Sequence, residues 1–498
     1  MSPERTAPPA RASVAEEALR PDHASPSDRP DHASPPDRPD HPDHPDRPSR
    51  PDRPDHPDRP SRPDHPDRPS RPDRPDRPGS PRLPRRSAPL RIPAPSGRST
   101  SSGHPARPTS PARSTPSARP GNPVHPVRPV RAGRAGGAGL ALLGYAAARL
   151  TGLAVLLVAA AASGEDAWHR LTGRWDSVWY TRIAEHGYGH EVTLPDGSVH
   201  SDLAFFPLLP ALERALSTLL PIGAAPAGLA VAWTASLAAA WGIHAVGAHV
   251  AGRRAGIVLA VLWGVYPTAF VQSMAYTETL FTAFAAWSLY AVLRGRWLLS
   301  GALAVPAGLT RPSAVALIAA LAVAALAVLV RERRVGPGLA AGVLLAPLGW
   351  LAYVGYVAVR VGRPTAYFDV QAGWGNSIDG GAALARFTWN RLTGPQPLAG
   401  VGLLAVFAVL GWAVWLCVRQ GLPPPVLVYT LAVVAVSLVG AAYFGSRPRL
   451  IMPAFPLLLP AAVALARLRA RYAGAVLAVL AAASAGYGAF TLLGPGPP

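Results

Sequence analysis

From Gly136 to the end, the chain is a succession of apolar stretches near 20 residues long, separated by short connections that carry arginine. About 20 apolar residues as a helix cross a hydrocarbon core of about 30 Å, and only helices or closed barrels satisfy their backbone groups there. The pattern therefore predicts an all-α polytopic membrane protein. Spans are expected at about Gly137–Ala162, Ala224–His249, Ala255–Phe270, Thr279–Leu293, Trp297–Leu309, Ala314–Val330, Gly338–Val359, Leu398–Val418, Pro425–Phe444, Leu450–Ala466 and Tyr472–Leu493. That makes about eleven, the fourth and fifth short enough to be tilted, broken or fused.

The arginines test this count independently. Arg131/Arg134, Arg253/Arg254, Arg294/Arg296, Arg331/Arg333/Arg334, Arg419 and Arg467/Arg469/Arg471 fall in alternate connections, which the positive-inside rule assigns to the cytoplasm. The other connections then face outward: Ser163 to Pro221, Val271 to Glu278, the vicinity of Arg311, Arg360 to Gln396, and Gly445 to Arg449. The unusual polar residues all share that side, an agreement that one extra or missing span would scramble.

Composition narrows the class. The formal charge is +19 although only 15% of the 498 residues are charged. There is no lysine, and the richness in Ala, Pro, Gly and Arg reads as a high-GC coding bias, so the basicity alone does not argue for nucleic acid and no nucleic-acid module accompanies it. Cys417 is the only cysteine, which excludes an intramolecular disulfide or a cysteine-based metal site. Residues 1–134 form a different segment, with degenerate runs such as "PDRPDHPDRPSRPDHPDRPSRPDRPDRP". Frequent proline removes backbone donors and fixes φ, and little apolar area is available to offset ordering entropy. A disordered cytoplasmic tail is expected, basic from Ser80 to Arg134 where it abuts the first span. The first apolar stretch begins far from Met1, so no cleaved signal peptide is expected.

The membrane domain, 137–493, has its richest outward loop at 163–223. Within "GRWDSVWYTRIAEHGYGHE", a helix from Trp175 would place Trp175, Val178, Trp179, Arg182, Ile183 and His186 at spacings of three and four, with Gly187 as its stop. Asp176 falls in the first turn, where its ordinary role is an N-cap. Glu185 lies nine residues later, half a turn out of phase at 100° per residue, so the two carboxylates would point apart. His190, Glu191, His200 and Asp202 follow no ligand spacing, and neither a metal nor any other cofactor is expected. Glu278 stands at the outward end of an apolar span, costly there unless it faces a cavity or a counter-ion. Arg311, Arg447 and Arg449 break the orientation trend. A guanidinium fork suits phosphate, with interfacial snorkelling as the ordinary alternative.

Taken together, "RWDSVWYTRIAEHGY", "AFFPLLP", "YTETLF", "LTRPS" and "RPRLIMPAFPLLLP" resemble segments of the PIG-V family of membrane glycosyltransferases, whose eukaryotic members add the second mannose in glycosylphosphatidylinositol assembly. The resemblance implies a GT-C-like bundle, a polyprenyl-phosphate-linked mannosyl donor, inversion at the anomeric carbon, and an acidic active-site residue in the first outward loop. Asp176 is then the expected base, with Glu185 as a second carboxylate candidate. Arg311, Arg447 or Arg449 would hold phosphate, Glu278 would line the site, and Trp175, Trp179, Tyr180 and Tyr188 would meet sugar or the lipid entrance. Two departures are visible: the insert-like "GHEVTLPDGSVHSD" after Tyr188, and "TRPS" where the family more often has Arg-Ser-Asn-Gly. The coding bias points to a bacterial source without glycosylphosphatidylinositol, which leaves the acceptor, a glycan or glycolipid, unnamed. A transporter or flippase of a lipid-linked sugar is the alternative from another class. It would want polar residues at mid-depth along the spans, and His244 is one of few.

Overall fold

The computed structural model describes residues 136–496, Asp196 and Ala442 aside. The expected tail, 1–134, lies outside the described residues. The body is helical: α1 (Gly136–Ser163), α2 (Ala167–Thr172), α3 (Asp176–His186), then a hairpin of β1 (Glu191–Thr193) and β2 (Val199–Ser201), followed by α4 (Leu208–Leu219), α5 (Ala224–Ala251), α6 (Arg253–Gly264), α7 (Glu278–Leu293), α8 (Trp297–Gly308) and α9 (Val315–Glu332). The second half holds α10 (Pro337–Leu345), α11 (Leu348–Val361), α12 (Ala366–Gly373), α13 (Ala382–Thr393), α14 (Pro397–Arg419), α15 (Pro424–Val439), α16 (Arg447–Ile451), α17 (Leu459–Arg467) and α18 (Ala470–Leu493).

Each apolar stretch expected to span contains a helix, but the stretches differ in reach. Six are long and apolar enough to cross a membrane, or up to seven if the pair 444–451 and 455–467, bent by 79°, is one span, against the eleven or so expected. α7, α8 and α15 have 16, 12 and 16 residues and fall short of a full crossing. α6 stops after 12 residues and passes into a 3-10 turn, Ala269–Ser273. Pro306 sits inside α8, and Pro347 separates α10 from α11. Proline removes a helical donor and clashes with the preceding turn, which is a physical reason for such breaks.

Small residues let the helices approach. A Cβ on Gly301 would collide with the Gly342 backbone, and one on Gly342 with the Trp297 carbonyl, so α8 and α10 touch backbone to backbone. Gly308 and Gly349 repeat the device one stage further on. Lipid is as apolar as leucine, so such close van der Waals packing rather than hydrophobicity drives helices together. Across α7 and α8, Ser288 and Ser300 exchange hydroxyl contacts at 3.0 Å, and each donates to the other's carbonyl at 2.9 Å.

The body has two distinct ends. At one, Arg253 lies against Gly137, Arg254 Nη2 donates to the Leu468 carbonyl at 3.0 Å, and His249 meets Tyr290 near the arginines at 294 and 296. At the other gather α3, the hairpin, α4 and the connections at 274–277, 309–314 and 443–446. There Leu208 N–H donates to the Leu309 carbonyl, and Thr279 Oγ1 to the Ala232 carbonyl, both at 3.0 Å.

Candidate active site

The segment after α1 is shaped by a backbone corner. Trp175 has φ 53° and ψ −124°, a conformation that costs an L-residue about 1–3 kcal/mol. It is held because the indole is buried in the main core and the Arg174 guanidinium lies 4.0 Å above its ring. The corner places Asp176 as the first residue of α3 rather than as its cap. The Asp176 side chain caps nothing, which corrects the N-cap expectation. Its backbone N–H donates to Tyr276 Oη at 3.1 Å, and its carboxylate Oδ2 accepts from Arg449 Nη1 at 2.7 Å.

Around that contact the chain assembles two carboxylates and two guanidinium groups from four segments. Glu278, first residue of α7, sits where the helix dipole favours negative charge. Its side chain is only 1% exposed. Glu278 Oε1 lies 2.5 Å from Arg311 Nη1 and 3.4 Å from Arg449 Nε. Arg311, entering from the connection after α8, also donates to Thr277 Oγ1 at 3.2 Å, and Tyr180 Oη lies 3.2 Å from that same hydroxyl. Arg449 completes the group from α16 and stands 5.1 Å from the Tyr276 ring centroid. Buried ions persist where each finds an opposite charge, and the four are mutually neutral. Asp176 is the most open, 29% exposed against 10% for Arg449. Glu278 Oε2 and Arg449 Nε make no hydrogen bond, so the cluster keeps unused polar capacity at its centre. Burial, reinforced by Asp176, raises the Tyr180 hydroxyl far above its ordinary range and leaves it a neutral donor or acceptor.

Such a group can do two things chemically. The accessible carboxylate, oriented by Arg449, can accept a hydrogen bond or proton from a hydroxyl. The guanidinium groups can present N–H donors to phosphate oxygens.

Of the residues singled out in the sequence, Asp176, Glu278, Arg311, Arg449 and Tyr180 come together. Glu185 does not: it lies at the exposed far end of α3, 3.9 Å from His186 Nε2, with the helical phase that separated it from Asp176. Arg447 also stands apart. Its guanidinium donates to the carbonyls of Ser437, Leu438 and Gly440 at 2.8, 3.1 and 2.8 Å, closing the C-terminal end of α15. Trp175 and Trp179 are packed rather than presented. Trp179 stacks on Phe205 at 5.5 Å and meets the Trp374 edge at 5.0 Å. Tyr188 Oη donates to the Phe205 carbonyl at 2.7 Å, and its own carbonyl accepts from Arg360.

Residues not singled out also contribute. Tyr276 and Thr277 directly precede Glu278 within "AYTETLF", and their hydroxyls meet Asp176 N–H and Arg311. The insert-like segment is the hairpin, with Val192 opposite His200 and Gly197 at φ 80°. Its Pro-Asp-Gly between short alternating runs is a turn signal available in the sequence. The Asp202 carboxylate accepts the N–H groups of Gly189 and His190, and the Ser201 carbonyl accepts Trp374 Nε1 at 2.9 Å, fixing the hairpin above the cluster's end of the body.

No family model and no curated protein matches the chain. Among solved structures it is similar to ArnT from Cupriavidus metallidurans bound to undecaprenyl phosphate, at 17% identity and a TM-score of 0.44 over 68% of this chain. The apo form of the same protein gives 19% identity and a TM-score of 0.40 over 59%. The chain spans 62% and 55% of those structures' own lengths.

Proposed function

We propose that the protein is a membrane glycosyltransferase of GT-C type that takes a mannosyl residue from a polyprenyl-phosphate donor and attaches it, with inversion, to an acceptor hydroxyl. The observation that carries this reading is the meeting of Asp176, Glu278, Arg311 and Arg449, each from a different segment resembling the PIG-V family. In the reaction the acceptor oxygen forms a bond to the anomeric carbon as the bond from that carbon to the donor phosphate oxygen breaks. The bond electrons leave with the polyprenyl phosphate, and the acceptor proton passes to the Asp176 carboxylate. Arg311 and Arg449 stabilise the phosphate as its charge develops, and Tyr180 and Thr277 supply hydroxyls beside it. Glu278 balances the two guanidinium groups between turnovers. Glu185 takes no part in these steps.

The reading sets the cluster on the extracytoplasmic face of the cell membrane, the arginine-rich end and the tail of residues 1–134 in the cytoplasm, and 137–493 as the transferase domain. Its acceptor is a glycan or glycolipid. The experiment is transfer of labelled mannose from polyprenyl-phosphate mannose by membranes containing the full chain. Asp176→Asn should cut transfer about a hundredfold or more while the protein still inserts. Undiminished transfer by that variant refutes the base assignment, and intact donor crossing vesicles without labelled product refutes the transferase reading.

A further inference from the structure

Arg149 of α1 meets α6 where that helix breaks off. Arg253, the first residue of α6, lies against Gly137 of α1. At about 1.5 Å per residue from that shared level, Arg149 stands about 18 Å along α1, and Gly264, the last residue of α6, about 17 Å along its own axis. There Arg149 Nη1 donates to the Gly264 carbonyl at 3.2 Å. A hydrocarbon core is about 30 Å thick, so α6 presents its carbonyl end partway through a crossing. Its last carbonyls lack helical donors, and a helix end of this kind carries partial negative charge. A guanidinium supplies both a donor and the opposite charge. Arg149 is 9% exposed and among the described residues no carboxylate pairs with it, so the carbonyl end of α6 is its electrostatic partner. A Cβ on Gly264 would stand 2.8 Å from the Tyr145 ring, so glycine there lets α1 lie this close.

The same guanidinium grips the chain beyond the break. Between Gly264 and Glu278 the backbone passes through a 3-10 turn, Ala269–Ser273, with no α-helix. Irregular backbone at membrane depth persists only where protein satisfies it. Side chains from three helices do so here. Arg149 Nη2 donates to Ser273 Oγ at 2.8 Å, Trp233 Nε1 of α5 to the Ser273 carbonyl at 3.1 Å, and Ser484 Oγ of α18 to the Tyr266 carbonyl at 3.0 Å. Only Met274 and Ala275 separate Ser273 from the cluster, and the Ala275 N–H is fixed on the Leu171 carbonyl at 3.2 Å. The next three residues are the ones that set the charges: Tyr276 Oη accepts Asp176 N–H, Thr277 Oγ1 accepts Arg311, and Glu278 faces both Arg311 and Arg449.

We propose that Arg149 is a positioning residue for the charged cluster, capping α6 inside the bundle and, through Ser273, setting where Tyr276, Thr277 and Glu278 stand. One planar fork reaches the carbonyl and the hydroxyl together, which ties the end of the helix to the far end of the turn. A neutral amide could donate to one of them but would not balance the helix end. Arg149 therefore acts through the segment that aims Arg311 and Arg449, not by meeting the reacting groups. That this aim serves a donor phosphate rests on the transferase reading, whereas the hold of Arg149 on residues 265–278 does not.

Hydrogen–deuterium exchange of the purified full chain in detergent reads that hold directly. Arg149→Gln should speed exchange over residues 265–278 about tenfold or more and leave the hairpin region, 188–203, at wild-type rates. Ser273→Ala keeps the cap on Gly264 and loses only the link beyond it, so it should speed exchange about threefold over 273–278 alone. It carries the test if Arg149→Gln does not fold. Transfer of labelled mannose from polyprenyl-phosphate mannose then separates positioning from support. Per folded molecule, Arg149→Gln should raise the KM for donor about fivefold or more and Ser273→Ala about twofold, while Arg149→Lys should return it to within about twofold of the wild type. An arginine that merely supports the fold would lower the folded fraction and leave that KM unchanged. Wild-type exchange over 265–278 in both Arg149→Gln and Ser273→Ala overturns the proposal. So does an unchanged KM in both, where wild-type membranes transfer mannose and Asp176→Asn membranes do not. If the wild type transfers nothing from this donor, the transferase reading fails by itself, and the exchange rates decide whether Arg149 holds the segment.

Discussion

Glu278 is the residue whose neighbours most define the cluster, since both arginines reach it. Glu278→Gln leaves two guanidinium groups facing one carboxylate, and breaking a buried pair costs about 3–5 kcal/mol. Thermal unfolding in detergent should show that loss, and Glu278→Gln with Arg311→Gln should cost less than the sum of the two alone, since each removes the other's partner. Glu213 predicts a pH dependence of a different origin. It is wholly buried on α4, neither carboxylate oxygen has a hydrogen bond, and burial, then Glu185, raises its pKa well above 4.5. The folded chain therefore holds this proton more tightly than the unfolded one. The stabilisation is complete below about pH 4.5 and is lost as pH rises through the raised value. Glu213→Gln should flatten that decline in melting temperature, and an unchanged slope would count against it. Asp176, Glu278, Arg311 and Arg449 were legible in the sequence because a charge beside an apolar run needs a partner. Arg447 shows the same signal two residues from Arg449, and only the fold reveals that it faces carbonyls.

At the scale of elements, hydrophobic run length identified where helices form but not how far each one reaches. α8 is as apolar as its neighbours, and α6 is apolar after its two opening arginines, yet each ends after 12 residues. α6 gives way to a turn that wedges Gln272 between Tyr145 Oη and the Trp263 carbonyl, at 2.9 and 2.8 Å, whereas α8 carries Pro306 in its last turn. The hairpin's three-residue strands carry too little periodicity to mark them, and only its Pro-Asp-Gly turn is written in the sequence. Arg447→Gln tests what closes α15. Losing donors to three carbonyls should cost about 1–3 kcal/mol in unfolding while the KM for donor stays at the wild-type value; a raised KM with unchanged stability would return Arg447 to phosphate binding. Gly342→Val should force α10 away from the Trp297 backbone and lower the free energy of unfolding by an amount typical of overpacking, about 1–3 kcal/mol, read as a lower melting temperature.

Across the whole molecule, Arg254 meets the Leu468 carbonyl at one place and Asp176 meets Arg449 at another. Their sidedness can be measured. In a Cys417→Ala background, an impermeant maleimide on intact cells should label Glu191→Cys and spare Arg296→Cys, both exposed positions. The reverse pattern would invert the orientation. The separation of the cluster's members along the chain carries one more consequence. Asp176 and Arg449 are 273 residues apart, and Glu278 and Arg311 fall between them. During synthesis Asp176 enters the membrane long before its guanidinium partner exists, and the charge balance closes only when α16 is in place. A nascent chain interrupted before residue 449 is therefore electrically unfinished as well as short. Two helices, α17 and α18, still follow Arg449 in the chain, so the charges balance before the bundle is complete.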